Sequence, residues 1–194
     1  MHALWRPRVL GAWRVPATGP VILAGNHSHL IDGPLLLGTA PRPVHFLVKR
    51  EAFVGPLGPL LRGLGQLSVD RDTVDRAAVT GALRVLRRGG VLGIFPEGTR
   101  GDGEFTALRS GVAYFAVRSG APVLPVAVLG SAARGRVIGA LPPLRCRVDV
   151  VFGEPFTVGG GRPTRTALDE ATARIRQHLR THLADARRLT GRVR

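Results

Sequence analysis

Sulfur is nearly absent from this chain. Of 194 residues one is a cysteine, Cys146, and one a methionine, Met1. A single thiol allows no internal disulfide framework and no cysteine cluster for a metal. It fits a reducing compartment, and within the strand-like run Leu144–Phe152 it reads as a small buried hydrophobe rather than a nucleophile. With Met1 alone there is no methionine-rich binding groove. Long apolar runs are missing too: no stretch reaches the roughly 18 residues that a spanning helix needs. The charge-free run from Val15 to Ile31 is interrupted by Pro16, Gly19, Pro20, Asn26 and His27. Acids are scarce, 13 against 28 lysines and arginines, and Lys49 is the sole lysine. The resulting formal charge of +15 favours anionic partners such as a phospholipid surface, an acidic protein or nucleic acid. Zinc-ligand spacing, a helix-turn-helix signal and an aromatic-basic strand are all lacking, so nucleic acid is not the expected partner.

What is present suits a folded enzyme. Hydrophobic content of 44% and charged content of 21% are those of a globular chain, and the length suits one domain over residues 1–194. Repeats and low-complexity tracts are absent. Short apolar runs alternate with helical patterns, which predicts an α/β fold, a mainly parallel central sheet flanked by helices. The predicted strands are Val21–Ala24, Val44–Val48, Gln66–Val69, Val91–Phe95, Val123–Val128 and Arg147–Phe152. The predicted helices are Ile31–Gly38, Pro56–Gly63, Thr73–Arg88, Leu108–Ser119 and Thr166–Arg188, the last within a carboxyl-terminal helical segment of 164–190. In Thr73–Arg88 the apolar set is Val74, Ala77, Ala78, Leu83, Val85 and Leu86, and Gly89-Gly90 ends the helix. In the last helix Thr166 and Asp169 have capping-box spacing ahead of the stripe Leu168, Ala171, Ile175, Leu179 and Leu183. His178 and His182 share the four-residue spacing of a helical metal pair, but no third ligand is evident, and a surface helix accounts for them. Residues 1–15 mix Trp5, Trp13 and apolar residues with three arginines. Two readings stand open there: a short membrane-interface segment, or tryptophans packed on the domain.

Two segments carry chemistry, and each begins where an apolar strand ends. Open parallel sheets bind ligands outside the carboxyl ends of their strands, so the two belong in one site. Residues 26–32 read Asn-His-Ser-His-Leu-Ile-Asp. A histidine of ordinary basicity can take a proton at physiological pH, and a carboxylate on its other nitrogen would fix the tautomer and stabilise the imidazolium. His27 and Asp32 supply such a pair if the chain turns into a helix just after His27, with His29 as the competing histidine. Taken alone the pair is weak, since such spacings arise by chance. Residues 95–100, Phe-Pro-Glu-Gly-Thr-Arg, are more specific. Gly98 lets backbone approach a ligand, Arg100 can fork onto phosphate oxygens, and the Thr99 hydroxyl can add a hydrogen bond. Glu97 could bind a substrate hydroxyl or hold an arginine. A third segment, Gly65–Arg71, ends in Asp70-Arg71, either a solvated pair or a phosphate contact.

Together these residues resemble the glycerolipid acyltransferase family, and within it the 1-acylglycerol-3-phosphate acyltransferases. Asn26–Asp32 matches the family's His-x4-Asp block, Gly65–Arg71 is similar to the second, and Phe95–Arg100 matches the third. Val123-Leu-Pro-Val-Ala127 looks like the fourth, a strand carrying a proline. The four blocks occur in order over about residues 16–156. The resemblance implies that His27 is the general base and Asp32 its orienter. It implies that Arg71, Glu97, Gly98, Thr99 and Arg100 hold the glycerol phosphate of a lysophospholipid. The donor is then acyl-CoA or an acyl-carrier protein, with no cofactor, no metal and no acyl-enzyme; no Gly-x-Ser-x-Gly elbow is present. The expected setting is the cytoplasmic face of an anionic membrane, as a peripheral protein. Ala107-Leu-Arg-Ser-Gly111 keeps the arginine but lacks the lysine of a Phe-Lys-Arg-Gly-like run. The short amino end leaves docking to Trp5, Trp13, exposed apolar residues and the arginine field. Another lysolipid or glycolipid acceptor, or water in a thioesterase or esterase, would use the same base.

Overall fold

In strands β2 (Val21–Gly25) and β6 (Val123–Leu129) every residue is buried, the mark of parallel strands covered on both faces. The computed structural model describes residues 5–70, 73, 75–98, 103–131, 143 and 145–192. Its other strands are β1 (Arg6–Leu10), β3 (Val44–Lys49), β4 (Leu67–Val69), β5 (Val91–Ile94) and β7 (Arg147–Phe152). The helices are α1 (Asp32–Thr39), α2 (Leu57–Gly63), α3 (Arg76–Arg87), α4 (Gly111–Ser119) and α5 (Arg165–Thr190). The seven strands lie in the order β1-β7-β6-β2-β5-β3-β4, and every neighbouring pair is parallel except β6 with β7. The expected mainly parallel α/β sheet is therefore observed.

Alternating residues of β2 feed two cores. Ile22 and Ala24 pack with α3, α4 and α5 through Leu86, Ala113, Ala116, Ile175 and Leu179. Val21 and Leu23 pack on the other face with Leu35 and Leu36 of α1. Helix α5 buries Ala171, Ile175, Leu179, Leu183 and Ala186, spaced so that one stripe faces the sheet.

Several local expectations are corrected. The cap of α5 is Thr164, whose hydroxyl accepts from the Ala167 N–H at 3.3 Å, not Thr166. Helix α3 starts at Arg76 behind the Asp75 cap, so it buries Ala78, Ala82 and Leu86 at i, i+4, i+8 and leaves Ala77 exposed. Val74 lies outside the described residues. Helix α4 starts at Gly111 rather than Leu108, because Arg109 donates its backbone N–H to the Pro96 carbonyl at 2.8 Å. Cys146 precedes β7 and is half-buried, its thiol pushed up by burial.

Strand β1 has no counterpart among the expected strands. It carries Arg6, Pro7 and Arg8, residues that a central strand would exclude but an edge tolerates. Pairing with β7 sets Arg8 beside Asp149, a fully buried carboxylate that also accepts from Arg147 Nε at 3.0 Å and Arg192 Nε at 2.6 Å. Trp5 is buried next to this strand, whereas Trp13, in a 3-10 turn after it, is 80% exposed. Among the described residues no helix is long and apolar enough to cross a membrane.

Candidate active site

Strands β2 and β5 are parallel neighbours in register from Val21 with Val91 to Ala24 with Ile94, so their carboxyl ends are adjacent. This brings residues 26–32 and 95–98 together across about seventy positions of sequence. The link is direct: the backbone N–H of His27 donates to Glu97 Oε2 at 3.0 Å.

The turn after β2 is built by side chains acting on backbone. Asn26 is buried and bonded twice to Val128, its Nδ2 donating to the carbonyl at 3.0 Å and its Oδ1 accepting from the N–H at 2.7 Å. It serves as one more rung between β2 and β6. Asp32 is fully buried, and its Oδ2 accepts from the Ser28 N–H at 2.8 Å and the His29 N–H at 2.6 Å. His27 Nδ1 lies 3.2 Å from the same oxygen. The expected pairing is present, but by a different route: the helix begins at Asp32, and residues 27–31 form a tight turn wrapped around its carboxylate. Three groups share Oδ2, while Oδ1 has no partner among the described residues. His29, the competing histidine, is buried and reaches Asp32 through its backbone N–H.

The His27 ring is clamped. Phe95 stacks on it at 4.2 Å between centroids and 17° between planes, and Phe46 of β3 stacks on Phe95 at 5.4 Å and 9°. Gly25 allows that ring to sit close, since a Cβ there would lie 3.3 Å from Phe95. With Nδ1 directed at Asp32, Nε2 is the nitrogen left to take a proton, on a side chain that is 17% exposed. A carboxylate on one imidazole nitrogen holds the tautomer with a free lone pair on the other, the arrangement of a general base.

Glu97 has a part that its sequence context did not suggest. Its Oε1 accepts from the Phe105 N–H at 3.1 Å while Oε2 accepts from the His27 N–H, so one carboxylate fastens two backbone segments beside the imidazole. Gly98 has φ +74, and a Cβ there would overlap the Arg109 side chain. The group pressed against its open face is thus Arg109, whose guanidinium is brought to the turn of the third block. Gly103 has φ +71, and a Cβ would overlap Ser28 Oγ. Gly103 and Phe105 are site neighbours that the sequence reading does not name, whereas Arg109 is the arginine it finds retained after the third block.

Arg71, Thr99 and Arg100 lie outside the described residues. Asp70, before Arg71, pairs with Arg50 at 3.4 Å, and its backbone N–H donates to Asp75. Among the described residues no histidine, cysteine and carboxylate cluster could hold a metal. Of the two helical histidines, His178 is exposed and stacks on Phe156 at 3.9 Å. His182 is half-buried and meets the Val151 carbonyl at 2.9 Å, with burial lowering its pKa below the usual 6.5, so a plain surface helix accounts only for the first.

The acyltransferase family profile matches residues 6–129. A 1-acyl-sn-glycerol-3-phosphate acyltransferase of Bacillus subtilis is 26% identical over 77% of this chain and 73% of its own length. A lyso-ornithine lipid O-acyltransferase of Pseudomonas aeruginosa is 37% identical over 56% of this chain and 43% of its own length. The crystal structure of the 1-acyl-sn-glycerophosphate acyltransferase PlsC from Thermotoga maritima aligns with a TM-score of 0.72 at 25% identity, covering 93% of this chain and 71% of that one.

Proposed function

From the premise that this chain belongs to the acyltransferase family, and is an acyltransferase, we propose that it acylates the free hydroxyl of a 1-acylglycerol-3-phosphate to give phosphatidic acid. The observation that carries the reading is the His27 Nδ1–Asp32 Oδ2 pair, set where β2 ends beside β5. His27 Nε2 takes the proton of the acceptor hydroxyl as its oxygen attacks the carbonyl carbon of an acyl thioester. A C–O bond forms, a tetrahedral intermediate follows, and its collapse breaks the C–S bond. The departing thiolate, of CoA or of an acyl-carrier protein, recovers the proton from the imidazolium. Asp32 stabilises that imidazolium, and the Phe95 stack keeps the ring in plane. The reaction passes through no acyl-enzyme and asks for no metal.

The acceptor's phosphate would be held by Arg71, Thr99 and Arg100, with Glu97 and Gly98 shaping the turn and Arg109 beside it. Since the acceptor is a lipid, the protein would act peripherally on the cytoplasmic face of an anionic membrane. The Bacillus relative and the Thermotoga structure, by their names, act on the phosphate-bearing acceptor. The Pseudomonas relative is named for lyso-ornithine lipid, which makes that acceptor the second reading. Purified protein supplied with a long-chain acyl-CoA and a panel of lysophosphatidate, lyso-ornithine lipid and water alone tests both. Preferred esterification of lysophosphatidate supports the first reading and preference for lyso-ornithine lipid the second. Thioester cleavage at the same rate without any acceptor refutes both in favour of a thioesterase.

A further inference from the structure

Resting on the reading that the acceptor is a lipid, we propose that the outward face of α2, with Val54 ahead of it, docks on a leaflet of anionic phospholipid. The connection between β3 and β4 crosses from Lys49 to Leu67 and, among the described residues, holds four of the eight exposed large hydrophobic side chains. Val54 is 76% exposed, Leu57 49%, Leu60 57% and Leu64 50%. Leu57 and Leu60 stand at i and i+3 on one face of the helix, and Leu64 follows at i+7 as its carboxyl-terminal cap, its N–H donating to the Leu60 carbonyl at 2.9 Å. That face points away from the protein, and the one fully buried residue of α2 is Gly58. A stripe that would ordinarily be core is here turned outward.

Its place relative to the site is set by strand register. Val44 of β3 and Val21 of β2 both pair with Val91 of β5, so the carboxyl ends of β2, β5 and β3 share one edge of the sheet. The 3-10 turn Arg50–Phe53 follows β3 at that edge, and Val54 and Leu57 come directly after it. Leu30, 54% exposed, lies in the His27–Asp32 turn at the same edge. Trp13, by contrast, follows β1, the opposite lateral strand of the sheet. A membrane met through α2 is therefore met on the side where β2 and β5 end, the side of His27.

Charge selects the occupant. Residues 49–64 hold three cations, Lys49, Arg50 and Arg62, against one carboxylate, Glu51. All four are exposed; Glu51 pairs with Lys49 at 3.3 Å, and Asp70 pairs with Arg50 at 3.4 Å. An apolar face bordered by a net positive rim suits acyl chains below and anionic headgroups around. A second copy of the chain suits it less, because every copy carries the same positive rim. A seven-residue helix is also only about 10 Å long, too small to fill the about 800 Å² per partner of a stable interface.

The test compares wild type with the triple variant Leu57→Ser, Leu60→Ser, Leu64→Ser on vesicles of phosphatidylcholine with and without phosphatidylglycerol, read by co-sedimentation. Thermal unfolding and light scattering check folding and association. Wild type should bind the anionic vesicles, and the folded variant should partition about tenfold less or weaker. A single Leu60→Trp variant should show an emission blue shift on the same vesicles. Turnover of vesicle-embedded lysophosphatidate should fall with partition, while turnover of a short-chain lysophosphatidate dissolved as monomer should stay at the wild-type level. Unchanged vesicle binding by the triple variant overturns the docking face. So does a wild-type dimer that the substitutions dissolve while vesicle binding stays intact. Wild-type partition through α2 without turnover of either acceptor supports the docking and instead refutes the acyl-transfer reading.

Discussion

Replacing Asp32 by asparagine separates what its charge does from what its oxygens do. Oδ2 lies 3.2 Å from His27 Nδ1 and accepts from two backbone N–H groups, those of Ser28 and His29. An amide oxygen in that position can still accept from all three donors, so the turn should persist. What disappears is the negative charge facing the imidazolium. At 3.2 Å and an effective dielectric near 20, full unit charges attract by about 5 kcal/mol. A half-transferred proton in the transition state would feel about half of that. At about 1.4 kcal/mol per decade, Asp32→Asn should lower kcat by about a hundredfold to ten-thousandfold, with KM for the acceptor little changed. Asp32→Ala also removes the acceptor of two backbone N–H groups, the part-buried one of Ser28 and the buried one of His29, the latter at about 1–3 kcal/mol. It should lose several degrees of Tm that the asparagine variant keeps. The assay is steady-state turnover of lysophosphatidate and acyl-CoA, alongside thermal unfolding of each variant. An asparagine variant with wild-type kcat would refute the base–orienter reading. A drop in kcat matched by the same loss of Tm in both variants would show that Asp32 acts only by shaping the turn.

Asn26→Ala leaves the Val128 N–H and carbonyl without their buried partners and should cost about 2–4 kcal/mol of stability in urea unfolding. Gly98→Ala forces a Cβ into a left-handed backbone and onto the Arg109 side chain, so KM for a phosphate-bearing acceptor should rise several-fold. An unchanged KM would show that the Gly98–Arg109 contact does not serve the acceptor. His182 has its pKa lowered by burial, so as pH falls the unfolded chain protonates first. Its contribution to stability is complete above about pH 6.5 and lost progressively below it. His182→Gln should therefore narrow the gap between the Tm values at pH 7.5 and pH 5.5, and an undiminished gap would contradict the assignment.

The elements that sequence patterning located and those it missed differ in what stabilises them. Strands β2, β5 and β6 are short apolar runs because both faces are covered, and such runs are visible without any partner. Strand β1 is not: its arginines and proline read as surface, and only pairing with β7 and the buried carboxylate of Asp149 makes it a strand. In the site, the sequence put His27, Asp32 and Glu97 just after apolar strands, and it was the family resemblance, not the spacing, that implied a base and its orienter. Their local sequence did not show that Asp32 would draw in the Ser28 and His29 N–H groups, nor that Glu97 would hold His27.

Sequence alone thus determined which chemical groups the chain carries and that they follow buried strands, because side-chain identity and apolar runs are local properties. Tertiary structure decided which of those groups meet. Sheet order set β2 beside β5, which closes some seventy residues into one hydrogen bond between His27 and Glu97. The return of the chain through Gly103 and Phe105 then sealed the turn around Ser28. It also decided that Leu57 and Leu60 of α2 face outward, since a helical stripe reads the same whether the surface it meets belongs to its own protein or to something else.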